Sequence, residues 1–124
     1  MATVTYIRES KQTVSAMKGV IDYCTQDKKV FDRQSGRRLV GGINCNGKNA
    51  FTEFMATKGA YKKTDGINFY QYVQSFSPEE SVTAEEAHEV ALEFAEKAWP
   101  GYEVLVTTHS DAQHIHSHFV INSV

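Results

Sequence analysis

The chain has little of what staples or anchors a protein. Its two cysteines, Cys24 and Cys45, stand apart with no CxxC spacing, which gives a disulfide framework or a cysteine zinc site little support. Both are expected to be reduced packing residues. No stretch approaches the ~20 apolar residues of a membrane span. The opening MATVTYIRES also lacks the basic segment and apolar run of a secretory leader. The default expectation is therefore a cytoplasmic chain with no membrane insertion. Internal repeats and low-complexity tracts are absent too, which argues against solenoids and long disordered segments. Cations are nearly missing from one half: residues 64–124 carry 1 Lys or Arg against 10 acids, whereas residues 1–63 carry 12 against 5. A segment as basic as the first half can bind a polyanion, although any single run reads equally well as a solvated surface.

What is present suits one domain over residues 1–124. With 41% hydrophobic and 23% charged residues, a chain of this length buries roughly two-thirds of its unfolded surface. The segment TVTYIR alternates like a strand. Ser10 then offers a cap to a helix whose Val14, Met17, Ile21 and Cys24 recur at helical spacing, ending near Tyr23 to Asp27. DKKVFDRQSGRR reads as a polar basic loop turning at Ser35-Gly36. LVGGINC reads as a short strand whose Gly41-Gly42 serve either phosphate or packing. A short helix is expected over 48–58, then a strand INFYQYVQSF with Ile67, Phe69 and Val73 on its core side and Tyr70 and Tyr72 on a wet side.

Thr83 and Glu86 form a capping box before a helix carrying Ala87, Val90, Ala91, Phe94, Ala95, Ala98 and Trp99 at i, i+3, i+4 spacing, stopped by Pro100-Gly101. Two terminal strands, YEVLVTTH and HIHSHFVINSV, make a hairpin. The order β-α-β-α-β-α-β-β predicts an α+β fold, a largely antiparallel sheet with helices packed on one face and the other face open.

Four of the five histidines, His109, His114, His116 and His118, fall within ten residues. On a strand, residues 114, 116 and 118 share one face while Ile115, Phe119 and Ile121 take the other. The hairpin brings His109 beside His116 if the connection is about six residues, or beside His114 if it is shorter. Either register gathers imidazoles, which are common metal ligands. Three histidines leave coordination positions open, as in catalytic sites, and His109, His116 and His118 are the preferred set. Asp111 either orients an imidazole through its second nitrogen or is an ordinary turn former.

The run HSDAQHIHSHFVINSV resembles the signature of the relaxases, the mobilisation nucleases of plasmids and conjugative elements within the HUH endonuclease superfamily. The family's His-x-Asp followed by a His-hydrophobic-His pair falls here on His109, Asp111, His116 and His118, leaving His114 as the spare. SFSPEESVTAEEAHEVALEFAEKAW resembles the helix before that motif, and MKGVIDYCTQDKKV resembles the segment holding the nucleophilic tyrosine. The resemblance implies that Tyr23 is the nucleophile. It lies about 120° around its helix from Met17 at 100° per residue, so it need not be core.

The implied reaction is nicking of one DNA strand at an origin of transfer by transesterification, leaving a 5′-phosphotyrosyl enzyme and a free 3′-hydroxyl, with rejoining at the same site. A bacterial cytoplasm and relaxosome accessory proteins come with that implication. So does a divalent ion, Mg or Mn by family likeness, while imidazole donors also suit Zn, Ni or Co. Lys28, Lys29, Arg33, Arg37 and Arg38 are expected to contact backbone phosphates. Tyr70 and Tyr72 are expected to stack on bases, and Ser75 resembles a DNA-contacting position. Relaxases commonly continue beyond the histidine strand, so this is expected to be a single nuclease domain, either naturally short or cut from a longer chain. The competing readings are a metal-dependent phosphohydrolase using bound water, and a non-catalytic DNA-binding module.

Overall fold

A computed structural model describes residues 2–63, 65–77, 79–110 and 114–124. Along the chain lie β1 (Ala2–Ile7), α1 (Val14–Cys24), α2 (Asp27–Val30), β2 (Phe31–Asp32), β3 (Arg37–Arg38) and β4 (Val40–Ile43). A 3-10 turn at Gly47–Asn49 leads into α3 (Ala50–Ala60), followed by β5 (Phe69–Phe76), α4 (Ala84–Ala98), β6 (Val104–His109) and β7 (His116–Asn122). Five strands pair antiparallel throughout in the order β1-β5-β7-β6-β4, the α+β architecture that the element order predicts.

The helices, however, cover both faces of this sheet. Met17, Ile21 and Cys24 of α1 and Ala50 and Phe54 of α3 pack on Phe69, Leu105 and Val120. On the opposite side, Ala91 and Ala95 of α4 pack on Val104, Val106, Phe119 and Ile121, with Phe94 and Trp99 completing the cluster. The expectation of an open face fails because β6 and β7 do not alternate. Val104-Leu105-Val106 and Phe119-Val120-Ile121 are apolar at both parities and fully or almost fully buried, as strands covered on both sides must be. Small residues on α4 let it lie close to the sheet: Ala84, Ala87, Ala91 and Ala95 face inward, whereas Val90, expected in the core, points outward. Truncating a fully buried ring such as Phe54 or Phe119 is expected to cost about 3–5 kcal/mol.

Local chemistry sets the ends of these elements. α1 starts a turn later than Ser10, because the Thr13 side chain accepts the Ala16 N–H at 3.0 Å. The Thr83–Glu86 capping box forms in both directions, at 3.1 and 2.9 Å. The polar loop over 27–38 is more ordered than its composition suggests. It contains α2 and a two-stranded ribbon, β2 paired with β3, whose turn is held by the Asp32 carboxylate accepting from the Ser35 hydroxyl at 2.7 Å. Gly36 takes φ +71° there, a left-handed conformation that glycine adopts without strain. Gly41 is explained by packing, since a Cβ on it would stand 3.0 Å from Leu92 Cδ2.

The charge asymmetry of the sequence becomes a difference between faces. The acids of α4, including Glu85, Glu89 and Glu93, lie over one side of the sheet, and the basic first half supplies the helices on the other. Arg37 with Glu85, at 2.7 Å, is an ion pair that joins the two halves.

Candidate metal centre and nucleophile

β6 and β7 bring the histidines together by register. His109 lies directly opposite His116, and Thr107 directly opposite His118. Directly paired residues share a face, so the three imidazoles gather on the side of the sheet that α1 and α3 cover, beyond Leu105 and Val120. Their ring centroids are 5.0 Å apart for His109 and His116, 4.4 Å for His109 and His118, and 5.1 Å for His116 and His118. One ligand nitrogen from each lies within 4.8 Å of the others. This face carries core as well as histidines, contrary to the sequence reading: His109 is buried to 1% exposure beneath the end of α1.

The residues fit a metal ion by their hydrogen bonding. A ligating imidazole normally donates its other N–H to a carbonyl or carboxylate. His109 Nε2 lies 3.1 Å from the Cys24 carbonyl, and His116 Nδ1 lies 3.1 Å from the His114 carbonyl. His118 Nδ1 lies 3.1 Å from the Gln71 side-chain amide, whose oxygen accepts the proton once the amide is turned over, an exchange that preserves its shape. In His116 and His118 these bonds use Nδ1, and Nε2 is the second ring nitrogen. Burial first, then the neighbouring His109, His116 and Lys29, pushes His118 down to about 3, so at neutral pH it is the uncharged ligand that a metal requires.

α1 delivers the tyrosine. Its inward residues Met17, Ile21 and Cys24 fix the roll of the helix, which leaves Tyr23 at its last turn, 50% exposed. The Tyr23 ring stands edge-on to the cluster, 6.1 Å from His109 and 6.5 Å from His118 between centroids. α2 folds back so that Lys29 Nζ lies 4.7 Å from the Tyr23 ring centroid. The Lys29 carbonyl accepts the Ser110 N–H at 2.9 Å, tying α2 to the residue after His109.

The other candidates divide. His114 contributes its backbone carbonyl, and among the described residues its ring is not part of the cluster. Asp111 lies outside the described residues. Ser75 is exposed directly across from His116 on the histidine side. Tyr70 and Tyr72, expected on a wet surface, pack half-buried on the opposite side. Tyr72 lies 5.0 Å from Trp99 and 5.1 Å from Tyr6 between centroids, because α4 brings Trp99 over their parity. Arg37 and Arg38 are engaged, with Glu85 and Asp27 respectively, both at 2.7 Å. Lys28 and Arg33 border clefts around Phe31.

Sequence reasoning missed three features. Gln71 sits at the core parity of β5, and a polar residue there was a readable signal. His88, on the apolar stripe of α4, bonds Thr108 Oγ1 through Nδ1 at 2.9 Å, and Thr108 bonds Ser117 Oγ at 2.8 Å. This buried chain runs on the reverse side of the strands that carry the metal candidates. Exposed Phe31 beside the site was the third.

A covered antiparallel sheet carries a three-histidine cluster on its central hairpin, with a tyrosine from the first helix beside it, the arrangement that the resemblance to relaxase nuclease domains implies. The chain belongs to the relaxase family described as MobA/VirD2-like, nuclease domain, which it matches over residues 23–124. It is 45% identical over 83 residues to the Protein rlx of Staphylococcus aureus, covering 67% of this chain and 26% of that protein. It is 29% identical over 118 residues to the group II intron-interrupted relaxase LtrB of Lactococcus lactis subsp. cremoris strain MG1363, covering 74% of this chain and 21% of that protein. The chain thus spans about a quarter of the length of the curated relatives it matches. No solved structure matches it. None of the helices among the described residues is long and apolar enough to cross a membrane.

Proposed function

We propose that this domain nicks and rejoins one strand of DNA at an origin of transfer, with Tyr23 as the nucleophile, to start and end the transfer of a plasmid or conjugative element. The observation that carries the reading is the placement of the Tyr23 ring 6.1 and 6.5 Å from two histidines of the cluster. The phenolic oxygen attacks the scissile phosphorus and the bond to the 3′ oxygen breaks. The phenolic proton is lost and the departing oxygen takes one up, leaving a 5′-phosphotyrosine and a 3′-hydroxyl. One phosphodiester replaces another, so the reverse step rejoins strands without ATP.

A free phenol has a pKa of about 10 and is a weak nucleophile until deprotonated. The Lys29 ammonium lies over the Tyr23 ring, 4.7 Å from its centroid, so positive charge stands near the aromatic ring. His109, His116 and His118 would hold a divalent ion, Mg or Mn by family and Mn, Zn, Ni or Co by donor type. Such an ion supplies charge stabilisation to the non-bridging oxygens of the phosphate. Asp111 is assigned the support of an imidazole, and His114 a spare role. Lys28, Arg33 and Ser75 are assigned contacts to the single strand. Relaxosome accessory proteins are its expected partners.

The test is covalent capture. Incubated with single-stranded DNA carrying its nick site and Mg or Mn, the protein is expected to form an adduct that survives denaturant and is absent in Tyr23→Phe. Cleavage without an adduct would favour attack by bound water. DNA binding with neither adduct nor cleavage, unchanged by a chelator, would favour a non-catalytic module.

A further inference from the structure

We infer that Phe31 is a stacking platform for one base of the single strand next to the scissile phosphate, with Lys28 and Arg33 holding the flanking backbone. The inference rests on the DNA-nicking reading and locates part of the strand's path. Phe31 is 46% exposed although it lies in a paired strand, an orientation that wastes an aromatic ring unless something covers it. Two clefts adjoin the ring, of about 490 Å³ along Asp27 and Arg38 and about 370 Å³ along Asp32 and Ser110, and both are bordered by Lys28 and Arg33.

Charge complementarity picks the occupant. Lys28 and Arg33 make no ion pair among the described residues, whereas the nearby Arg37 and Arg38 are both paired. Of the two acids that line the clefts, Asp27 is paired with Arg38 at 2.7 Å, and Asp32 is turned into its own hairpin, accepting from Ser35 Oγ at 2.7 Å, Ser35 N at 3.3 Å and Gln34 N at 3.4 Å. An exposed aromatic face between two available cations matches a nucleotide, with its flat base and its anionic backbone.

The platform is also continuous with the candidate site. The Phe31 carbonyl accepts from the Ser110 hydroxyl at 3.0 Å, and Ser110 follows His109 directly. Two residues before Phe31, Lys29 lies over Tyr23. The turn that holds Phe31 is pinned by Asp32 and Gly36, so the ring is presented on a braced hairpin. The Phe31 backbone is thus tied both to the residue after His109 and to the segment that carries Lys29 over Tyr23.

The experiment measures binding apart from chemistry. Tyr23→Phe protein in a chelating buffer is titrated into a fluorescein-labelled oligothymidylate, and anisotropy gives Kd at several salt concentrations. Phe31→Ala is expected to weaken binding by about 5- to 150-fold, the range for loss of one base–aromatic stack, without changing the salt slope. Phe31→Tyr and Phe31→Trp should bind within a few-fold of the parent, while Phe31→Leu should not. Lys28→Gln and Arg33→Gln should each lower the salt slope by about 0.7.

Parental affinity in Phe31→Ala, equal binding by the Leu and Tyr variants, or no binding by the parent would overturn the inference. If the Phe31 series behaves as stated but protein with Tyr23 intact never forms an adduct, the platform stands and the nucleophile reading falls. If adducts form and Phe31→Ala binds as its parent does, the platform alone falls.

Discussion

Removing one buried hydroxyl behind the metal candidates tests how the hairpin is held. Thr108 Oγ1 bridges His88 Nδ1 at 2.9 Å and Ser117 Oγ at 2.8 Å, and the three residues are 0%, 2% and 0% exposed respectively. Thr108→Val keeps the shape of the side chain but leaves both partners one hydrogen bond short. At about 1–3 kcal/mol for each buried unsatisfied group, the cost is about 2–6 kcal/mol, a large share of the roughly 5–15 kcal/mol of a whole domain.

For a chain of this length about 3–6 °C of melting temperature is lost per kcal/mol, so a fall of at least about 6 °C is expected in metal-free protein near neutral pH. Thr108→Ser retains the oxygen and should lose only about 1 kcal/mol, for the buried methyl. Urea unfolding followed by circular dichroism gives both values. Because Thr108 precedes His109 and Ser117 separates His116 from His118, the same variant should weaken metal binding in calorimetry. Equal stability of the Val and Ser variants, or a Val variant within about 0.5 kcal/mol of wild type, would refute the reasoning.

Metal saturation should stabilise the protein, by about 2.7 kcal/mol at a metal concentration 100 times Kd. His109→Ala, His116→Ala and His118→Ala should each abolish that shift and His114→Ala should keep it, so a shift surviving in His109→Ala would reassign the ligands. Gln71→Leu removes the partner of His118 Nδ1 and is expected to weaken metal binding about 10- to 100-fold, read by isothermal titration. Burial holds His88 down to about 4 and His118 down to about 3, against 6.5 for a free imidazole. Between pH 6.5 and about 4 the unfolded chain therefore binds more protons than the fold. Metal-free stability should fall as pH drops through that window, by up to about 1.4 kcal/mol per pH unit for each group. His88→Gln should flatten the slope, and an unchanged slope would place the acid sensitivity elsewhere.

Much of this protein could be read from local pattern. Capping chemistry, helical spacing and strand parity are properties of short segments, so the Thr83–Glu86 box, the inward residues of α1 and the shared face of His116 and His118 were visible before folding. The doubly covered sheet was readable in principle, because Val104-Leu105-Val106 is apolar at both parities. A strand apolar at both parities needs cover on both sides, which gives α4 a face of its own on Val104 and Val106. The pairing of His109 with His116, rather than with His114, depends on a connection whose length sequence could only bracket.

Sequence by itself therefore determined the residue types, their periodicity and the family likeness that joins a tyrosine to histidines more than eighty positions away. Tertiary structure decided which of them meet. α1 lies across the end of β6, so the Cys24 carbonyl reaches His109 and Tyr23 turns toward the cluster. α4 lies on the reverse side, so Tyr70 and Tyr72 join the Trp99 cluster and His88 supports the hairpin from behind. Such contacts are set by how helices pack on a sheet. That packing depends on burying several distant apolar faces at once, which no local stretch of sequence specifies.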